Sequence, residues 1–441
     1  MRKVYNEQRP LFCQWPDHII SNELKKISAI LDSNPSFLEL VGSDLQKGKT
    51  TKTTGARGMS AEQVLRAAIL KQQNQWTYNF LELQCVDSEM TKSFLKLGFG
   101  ESYSDSCLQE NISRIRGETW AKINDAIVHY ASQEGLENGR TIRLDATVIE
   151  SNIHSPSDST LLLDCFRVAD RCFKDLRRKT KRKVHLPLSL KEAKSLLLKI
   201  QYGRGKDGRE NHYRTLVRYG SMLLKMLPEV KGWLEAAGSK RVRVVENLID
   251  LMPAILDQTR RRVLKGETVE SYEKVVSIFE PHTDIIIKGS RDIEYGHKVF
   301  LTAGASGLVT HCQLVQGNPS DSEFFTELLE KQITLYGKAP RQLAADGGFA
   351  SEDNVDDAKE MGVKDVCFSK APGIAREEMV KSAWVYQKLR NFRAGIEGII
   401  SVLKRGFGLE RVTWKGVSGF ASYVHSGVVA YNLTLLSRLK A

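Results

Sequence analysis

Ile142-Arg143-Leu144-Asp145-Ala146-Thr147-Val148-Ile149 sets Ile, Leu, Ala and Val at even positions against Arg, Asp, Thr and Ile at odd ones. Side chains of an extended chain point to opposite faces in turn, so this period of two reads as a β-strand with Asp145 inside it. The text before Gly139 has a different character. Ser60 with Gln63 makes a capping box ahead of Leu65, Ala68 and Ile69, and Ser106 with Gln109 does the same ahead of Leu108, Ile112 and Ile115. A polar, basic interruption runs from Gln46 through Lys47, Lys49 and Lys52 to Gly58. Short helices joined by tight turns such as Gly98-Phe99-Gly100 suit an all-α, helix-turn-helix-like domain over 1–136. In that frame Leu108, Ile112 and Ile115 form a buried stripe, and Asn111 and Arg114 point outward as candidate readers of adenine and guanine edges.

After the strand the chain returns to helical text from about 160 to 275. Residues 171–218 hold 16 Lys and Arg against four acidic residues, a surplus equal to the net charge of +12 of all 441 residues. Arg177, Arg178, Lys181, Arg182 and Lys183 are its densest part. So one-sided a run repels itself unless a polyanion screens it, which points to DNA contact. Strand text resumes near Tyr295: Val299-Phe300-Leu301, the turn Gly304-Ala305-Ser306-Gly307 and Leu308 to Val315 read as a hairpin. A helix from Ser320 to about Tyr336 comes next, then a short strand Gln342-Leu343-Ala344-Ala345, a helix from Ser351 to Gly362, the strand Val366-Cys367-Phe368 and a helix from about Glu377 to Lys404. This order describes an α/β domain over 137–441, a mixed sheet with helices on its faces and a long helical insertion.

Composition limits the partners. With 65 Lys and Arg against 53 Asp and Glu, the chain favours a polyanion, either nucleic acid or an anionic membrane surface. No signal-peptide core comes after Met1 and no run of about 18 apolar residues occurs, so a soluble, internal protein is expected. The seven cysteines are scattered without a C-x-x-C pair and read as reduced, mostly buried thiols. His154, His282, His297, His311 and His425 show no ligand spacing.

Three carboxylates stand where a sheet-based site would place them: Asp145 in the first strand, Asp346 at the carboxyl end of a later one before Gly347-Gly348, and Glu397 on the helix after the last. The glycines leave room for a bulky substrate near the backbone. Three acidic groups meeting at one spot need cations, and Mg²⁺ or Mn²⁺ favour such oxygens. Arg393, Glu397 and Lys404 lie at i, i+4 and i+11 and share one helix face. Glu397 could hold metal there, with Arg393 and Lys404 on phosphate; an amphipathic helix with an ordinary i,i+4 ion pair reads equally well from this helix alone.

The arrangement resembles the DDE transposases of bacterial insertion sequences, whose third acidic residue lies in a signature of Tyr, two residues, Arg, three residues, Glu, six residues, Lys. Arg393, Glu397 and Lys404 match it, while Arg390 stands where the signature has Tyr. Leu144-Asp145-Ala146-Thr147, Ile153 through Ser159, Ile278 through Thr283, Gly317-Asn318-Pro319-Ser320-Asp321, Asp346-Gly347-Gly348-Phe349-Ala350 and Asn432-Leu433 are similar to the ISNCY-type group in the same order. The resemblance implies a ribonuclease-H-like core and a first domain that binds terminal inverted repeats. It also implies two Mg²⁺ (or Mn²⁺) ions held by Asp145, Asp346 and Glu397, cleavage at the element ends and joining of the freed 3′-hydroxyl to target DNA. A homo-oligomer on double-stranded DNA, in the bacterial cytoplasm at the nucleoid and without membrane contact, is the matching expectation. A stand-alone nuclease on the same fold and a non-catalytic DNA-binding regulator are the rival readings. Asp145 to Asp346 spans 201 residues and Asp346 to Glu397 only 51, so the basic helical region is an insertion between the first two core strands.

Overall fold

The computed structural model describes residues 15–47, 58–203, 205–288 and 292–439. Cys13 and most of the basic interruption at 46–58 lie outside the described residues. Seven helices come first: α1 (Ile19–Asp32), α2 (Ser36–Gln46), α3 (Ala61–Gln73), α4 (Tyr78–Asp87), α5 (Glu89–Leu95), α6 (Asp105–Ile112) and α7 (Gly117–Gln133). Strand β1 (Thr141–Glu150) is next, then α8 (Asp158–Thr180), α9 (Leu190–Tyr202), α10 (Lys206–Ala236) and α11 (Val242–Thr259). The rest runs β2 (Asp284–Lys288), β3 (Asp292–Ala303), β4 (Val309–Val315), α12 (Phe325–Tyr336), β5 (Gln342–Ala345), α13 (Glu352–Glu360), β6 (Asp365–Phe368), α14 (Arg376–Met379), α15 (Ala383–Gly406) and α16 (Gly416–Leu439).

The strands form one mixed sheet in the order β2-β3-β1-β5-β6, with β4 also on β3. β1, β5 and β6 are parallel neighbours, whereas β2 pairs antiparallel with residues 292–296 of β3 and β4 with residues 298–303. This mixed α/β sheet fits a ribonuclease-H-like core. Parallel neighbours need crossover connections, and α12 and α13 supply those that precede β5 and β6. Ile142 and Leu144 pack in a core with Phe325, Leu343 and Val366, while Ile149 shares another with Ile396, Ile399 and Leu403. β1 is therefore covered on both faces, and its odd-numbered side chains lie under α15.

The chain divides into two compact units, residues 1–151 with 297–441, and residues 152–296. In the first unit α16 packs against α7, α3 and α1, and its Val429, Leu433 and Leu436 share one core with Leu65, Trp120 and Ile127. Asn432 fastens this packing to the sheet: its amide donates to the Val309 carbonyl at 2.8 Å and to Asn124 Oδ1 at 2.7 Å, and its own Oδ1 accepts from the Val309 N–H at 2.9 Å. Asn432→Ala strands a buried N–H and a buried amide oxygen, so it is expected to cost about 3 kcal/mol of unfolding free energy. Chemical denaturation checks this, and a loss under about 1 kcal/mol would mean that the network is dispensable.

The second unit holds α8 to α11 around its own core of Phe166, Phe173, Leu216, Leu227, Leu248 and Met252. Ser157 caps α8 by accepting from the Thr160 N–H, and Asp158 at its first turn pairs with Arg262 at 3.0 Å, which accounts for Pro156-Ser157-Asp158 structurally.

Several local expectations change. α6 starts at Asp105 with Ser104 as its cap, two residues before the expected Ser106, because the Ser104 hydroxyl accepts from the Cys107 N–H. β2 carries Ile285-Ile286-Ile287, a short apolar run that periodicity alone does not assign to a strand. The last core helix is not continuous from Glu377: α14 ends at Met379, and Ser382 opens α15 by capping the Val385 N–H. Cys85, Cys165, Cys172, Cys312 and Cys367 are buried and Cys107 is half-buried, all as free thiols.

Candidate active site and nucleic-acid surface

The pairing of β1 with β5 assembles the site. Leu144 lies opposite Ala345 in parallel register, so the next residues, Asp145 within β1 and Asp346 just after β5, stand side by side where the paired segments end. α15 crosses above them. Arg143, one residue pair earlier on the same face as Asp145, fixes that helix: its guanidinium donates to the Phe392 carbonyl at 2.9 Å and lies 4.6 Å from the Phe392 ring centroid. A Cβ at residue 395 would run into that guanidinium, so Gly395 is what lets α15 approach. Arg143 is a residue that sequence reasoning passed over; a basic side chain on a strand otherwise covered on both faces was the available signal.

With α15 seated, the Arg393 guanidinium lies among all three carboxylates. One of its nitrogens is 3.0 Å from Asp145 Oδ2 and 3.3 Å from Asp346 Oδ1, and the other is 2.7 Å from Glu397 Oε1. Two oxygens sharing one nitrogen at those distances are at most about 6 Å apart. Exposure rises across the site, from 12% for the Asp145 side chain to 45% for Asp346 and 64% for Glu397, so it opens to solvent on one side. Arg393 is itself only 15% exposed, and its buried Nε has no hydrogen-bond partner among the described residues.

The surroundings push the two aspartates in opposite directions. Burial pushes the Asp145 carboxyl up to about 6, against the pull of Arg393 and the Ala146 N–H and with the push of Asp346 and Glu397. For Asp346 burial also acts upward, but the Ser369 hydroxyl at 2.7 Å, the Gly347 N–H, Arg393 and Lys370 outweigh it and hold the carboxyl below its ordinary value. The oxygens are hard donors of the kind that Mg²⁺ and Mn²⁺ take. No group of three His, Cys, Asp or Glu among the described residues is placed to hold a metal ion.

One expectation about the surroundings does not hold as stated. A Cβ at residue 347 would meet the Lys370 carbonyl and one at 348 the Asp321 carboxylate, so the glycines admit the protein's own chain where room for substrate was expected. Asp321 is in turn held by Lys298 at 2.8 Å. Lys404 lies two helical turns, about 10 Å, beyond Glu397 and lines a small apolar recess with Thr147, Val299 and Leu409.

The residues expected to contact DNA fall into two groups. Leu108, Ile112 and Ile115 are fully buried as expected, but Asn111 is only 5% exposed and its amide donates to the Cys107 carbonyl, so it does not point outward. Asn111 lies three residues after Leu108 and four before Ile115, so it shares the buried face of that stripe. Arg114 is half-buried and pairs with Glu110 at 2.7 Å. In the second unit Arg178, Lys181, Arg182 and Lys183 are exposed at the end of α8 and in the loop after it, and Arg177 is half-buried, donating to the Val184 carbonyl. Arg178 pairs with Asp175, and Arg182 lies 4.7 Å from the Trp233 ring centroid. These contacts hold a cluster of five cations in place without neutralising most of it.

No helix among the described residues is long and apolar enough to cross a membrane. Residues 288–433 match the family model of the transposase DDE domain, a stretch that includes Asp346, Arg393, Glu397 and Lys404 but not Asp145. No curated protein and no solved structure matches the chain.

Proposed function

We propose, from the match of residues 288–433 to the transposase DDE domain, that this chain binds the terminal inverted repeats of an insertion sequence, cuts DNA at the element ends and joins the freed 3′-hydroxyl to target DNA. The observation that carries the reading is the meeting of Asp145, which lies outside the matched stretch, with Asp346 and Glu397 around one guanidinium. Paired strands and a clamped helix supply that convergence from three distant parts of the sequence.

Asp145, Asp346 and Glu397 would hold Mg²⁺ or Mn²⁺. When bound, the metal supplies a water of lowered pKa and neutralises charge on the phosphate oxygens. Asp145, buried and tied to the Ala146 N–H at 2.8 Å, provides a fixed oxygen. Ser369 orients Asp346, whose low pKa keeps it ionised and ready as a ligand. Glu397 stands on the solvent side, where a phosphate can approach. Arg393, and Lys404 farther along the helix, offer donors to phosphate oxygens, a role suited to a guanidinium's planar fork. Cleavage and joining are both in-line displacements at phosphorus, so one such centre serves both without a covalent protein–DNA link.

The exposed cations at the end of α8 are proposed to hold duplex DNA through phosphates, and the helices of 1–136 to recognise the repeats, with Arg114 the remaining candidate reader on α6. Work on DNA ends makes a homo-oligomer on DNA the expected assembly. The test is incubation of purified protein with labelled element ends, plasmid and Mg²⁺. Nicks at the ends and labelled end joined to plasmid are expected. Cleavage without joining would favour the stand-alone nuclease, and sequence-selective binding with no cleavage would favour the regulator.

A further inference from the structure

We propose that Arg393 is an internal cation that closes the carboxylate site, so that a divalent ion and the guanidinium compete for the same oxygens of Asp145, Asp346 and Glu397. The inference rests on the reading of these three as metal-holding. Its basis is geometric: a single side chain contacts all three at 2.7 to 3.3 Å from two nitrogens, and no described Lys or other Arg pairs with them. A cation on phosphate duty alone has no need to sit among all three ligands.

Charge favours the exchange. Three ionised carboxylates carry three negative charges, of which one guanidinium offsets one, so a doubly charged ion that displaces it neutralises the site more fully. Arg393 is also imperfectly held. Its Nε is buried without a hydrogen-bond partner among the described residues, a cost relieved when the side chain moves. The open side of the site, at Glu397, gives it somewhere to go. A swing toward solvent leaves the guanidinium at the rim, where it meets an incoming phosphate. Arg393 would then hold the carboxylates together before metal entry and contact substrate after it. It is a positioning residue in the first state.

Titration of full-length protein with Mn²⁺ by calorimetry, without DNA, tests this. Arg393→Gln is expected to bind Mn²⁺ about tenfold or more tighter than the unmodified chain, the scale on which one adjacent opposite charge changes a carboxylate's affinity for a proton. Its melting temperature in chelator should be lower, because the carboxylates lose their counter-ion. Arg393→Lys, which keeps the charge but not the fork, should fall between the two and serves if the Gln variant does not fold. Lys404→Gln removes the same charge from the same helix face about 10 Å away and should change Mn²⁺ affinity less than about twofold, since charges that far apart are largely screened. Equal or weaker Mn²⁺ binding by both Arg393 variants would overturn the inference alone. So would equal tightening by Lys404→Gln, which would reduce the effect to net charge. Absence of Mn²⁺ binding by every form would overturn the metal reading itself and the inference with it.

Discussion

Asp145→Asn, Asp346→Asn and Glu397→Gln are each expected to lower Mg²⁺-dependent cleavage by about a thousandfold or more, about 4 kcal/mol of transition-state stabilisation. Each exchange keeps the side chain's volume and removes the charge that makes it a metal ligand. Binding to duplex DNA should hardly change, because the cations proposed to hold the duplex are those at the end of α8. The three should not be equal in stability. Burial pushes the Asp145 carboxyl up to about 6, so its ionised form is costly in the fold above that pH, and Asp145→Asn removes the cost along with the Arg393 pair. Glu397 is mostly exposed and pairs with Arg393 at i,i+4, a contact worth only about 0.3 to 0.5 kcal/mol, so Glu397→Gln should melt like the unmodified chain. Cleavage rates, melting curves and gel-shift affinities of the three variants check this. A variant that cut at a near-normal rate would remove its residue from the site.

Replacing Arg177, Arg178, Lys181, Arg182 and Lys183 together with Gln should weaken binding to any duplex and flatten its dependence on salt. Each phosphate contact contributes roughly −0.9 to the slope of log affinity against log salt, so loss of three changes the slope by about 2.7. Between about 50 and 200 mM salt such a slope amounts to a factor of about 40 in affinity. The cations differ in how free they are to contribute. Lys181 and Lys183 are exposed, and their side chains have no hydrogen-bond or ion-pair partner among the described residues, whereas Arg177 is partly committed to the Val184 carbonyl and Arg178 to Asp175. Single changes at Lys181 or Lys183 should thus cost more slope than Arg178→Gln. Filter binding across a salt series reads this, and an unchanged slope in the fivefold variant would make the cluster an ordinary solvated surface.

The range of each signal set how much of this was legible in the sequence. Strand β1 was readable because alternation is local, and Arg393 with Glu397 because i,i+4 is local. Asp346 was readable because a short apolar strand ends directly before it. What the sequence did not show was that all three carboxylates share one partner, since that depends on the register of β1 against β5 and on Arg143 clamping α15. Local reading failed at Asn111 because the stripe of Leu108, Ile112 and Ile115 was taken as narrower than a helix's apolar face, which at i+3 and i+4 spacing includes residue 111. It also missed the part played by α16. That helix is buried on nearly every side and so shows no stripe, and its partners α1, α3 and α7 lie about 300 to 400 residues earlier. Gly347 and Gly348 were read as room for a substrate, and sequence could not say that the Lys370 carbonyl and Asp321 would take the space.

Whether Asp145, Asp346 and Glu397 form one metal-holding centre is decided by the anomalous scattering of Mn²⁺ in crystals of this chain. A peak is expected about 2 Å from oxygens of Asp145 and Asp346, with the Arg393 guanidinium moved off them. A fully bound Mn²⁺ at some other place, with Arg393 still bridging the three carboxylates, would refute the shared centre.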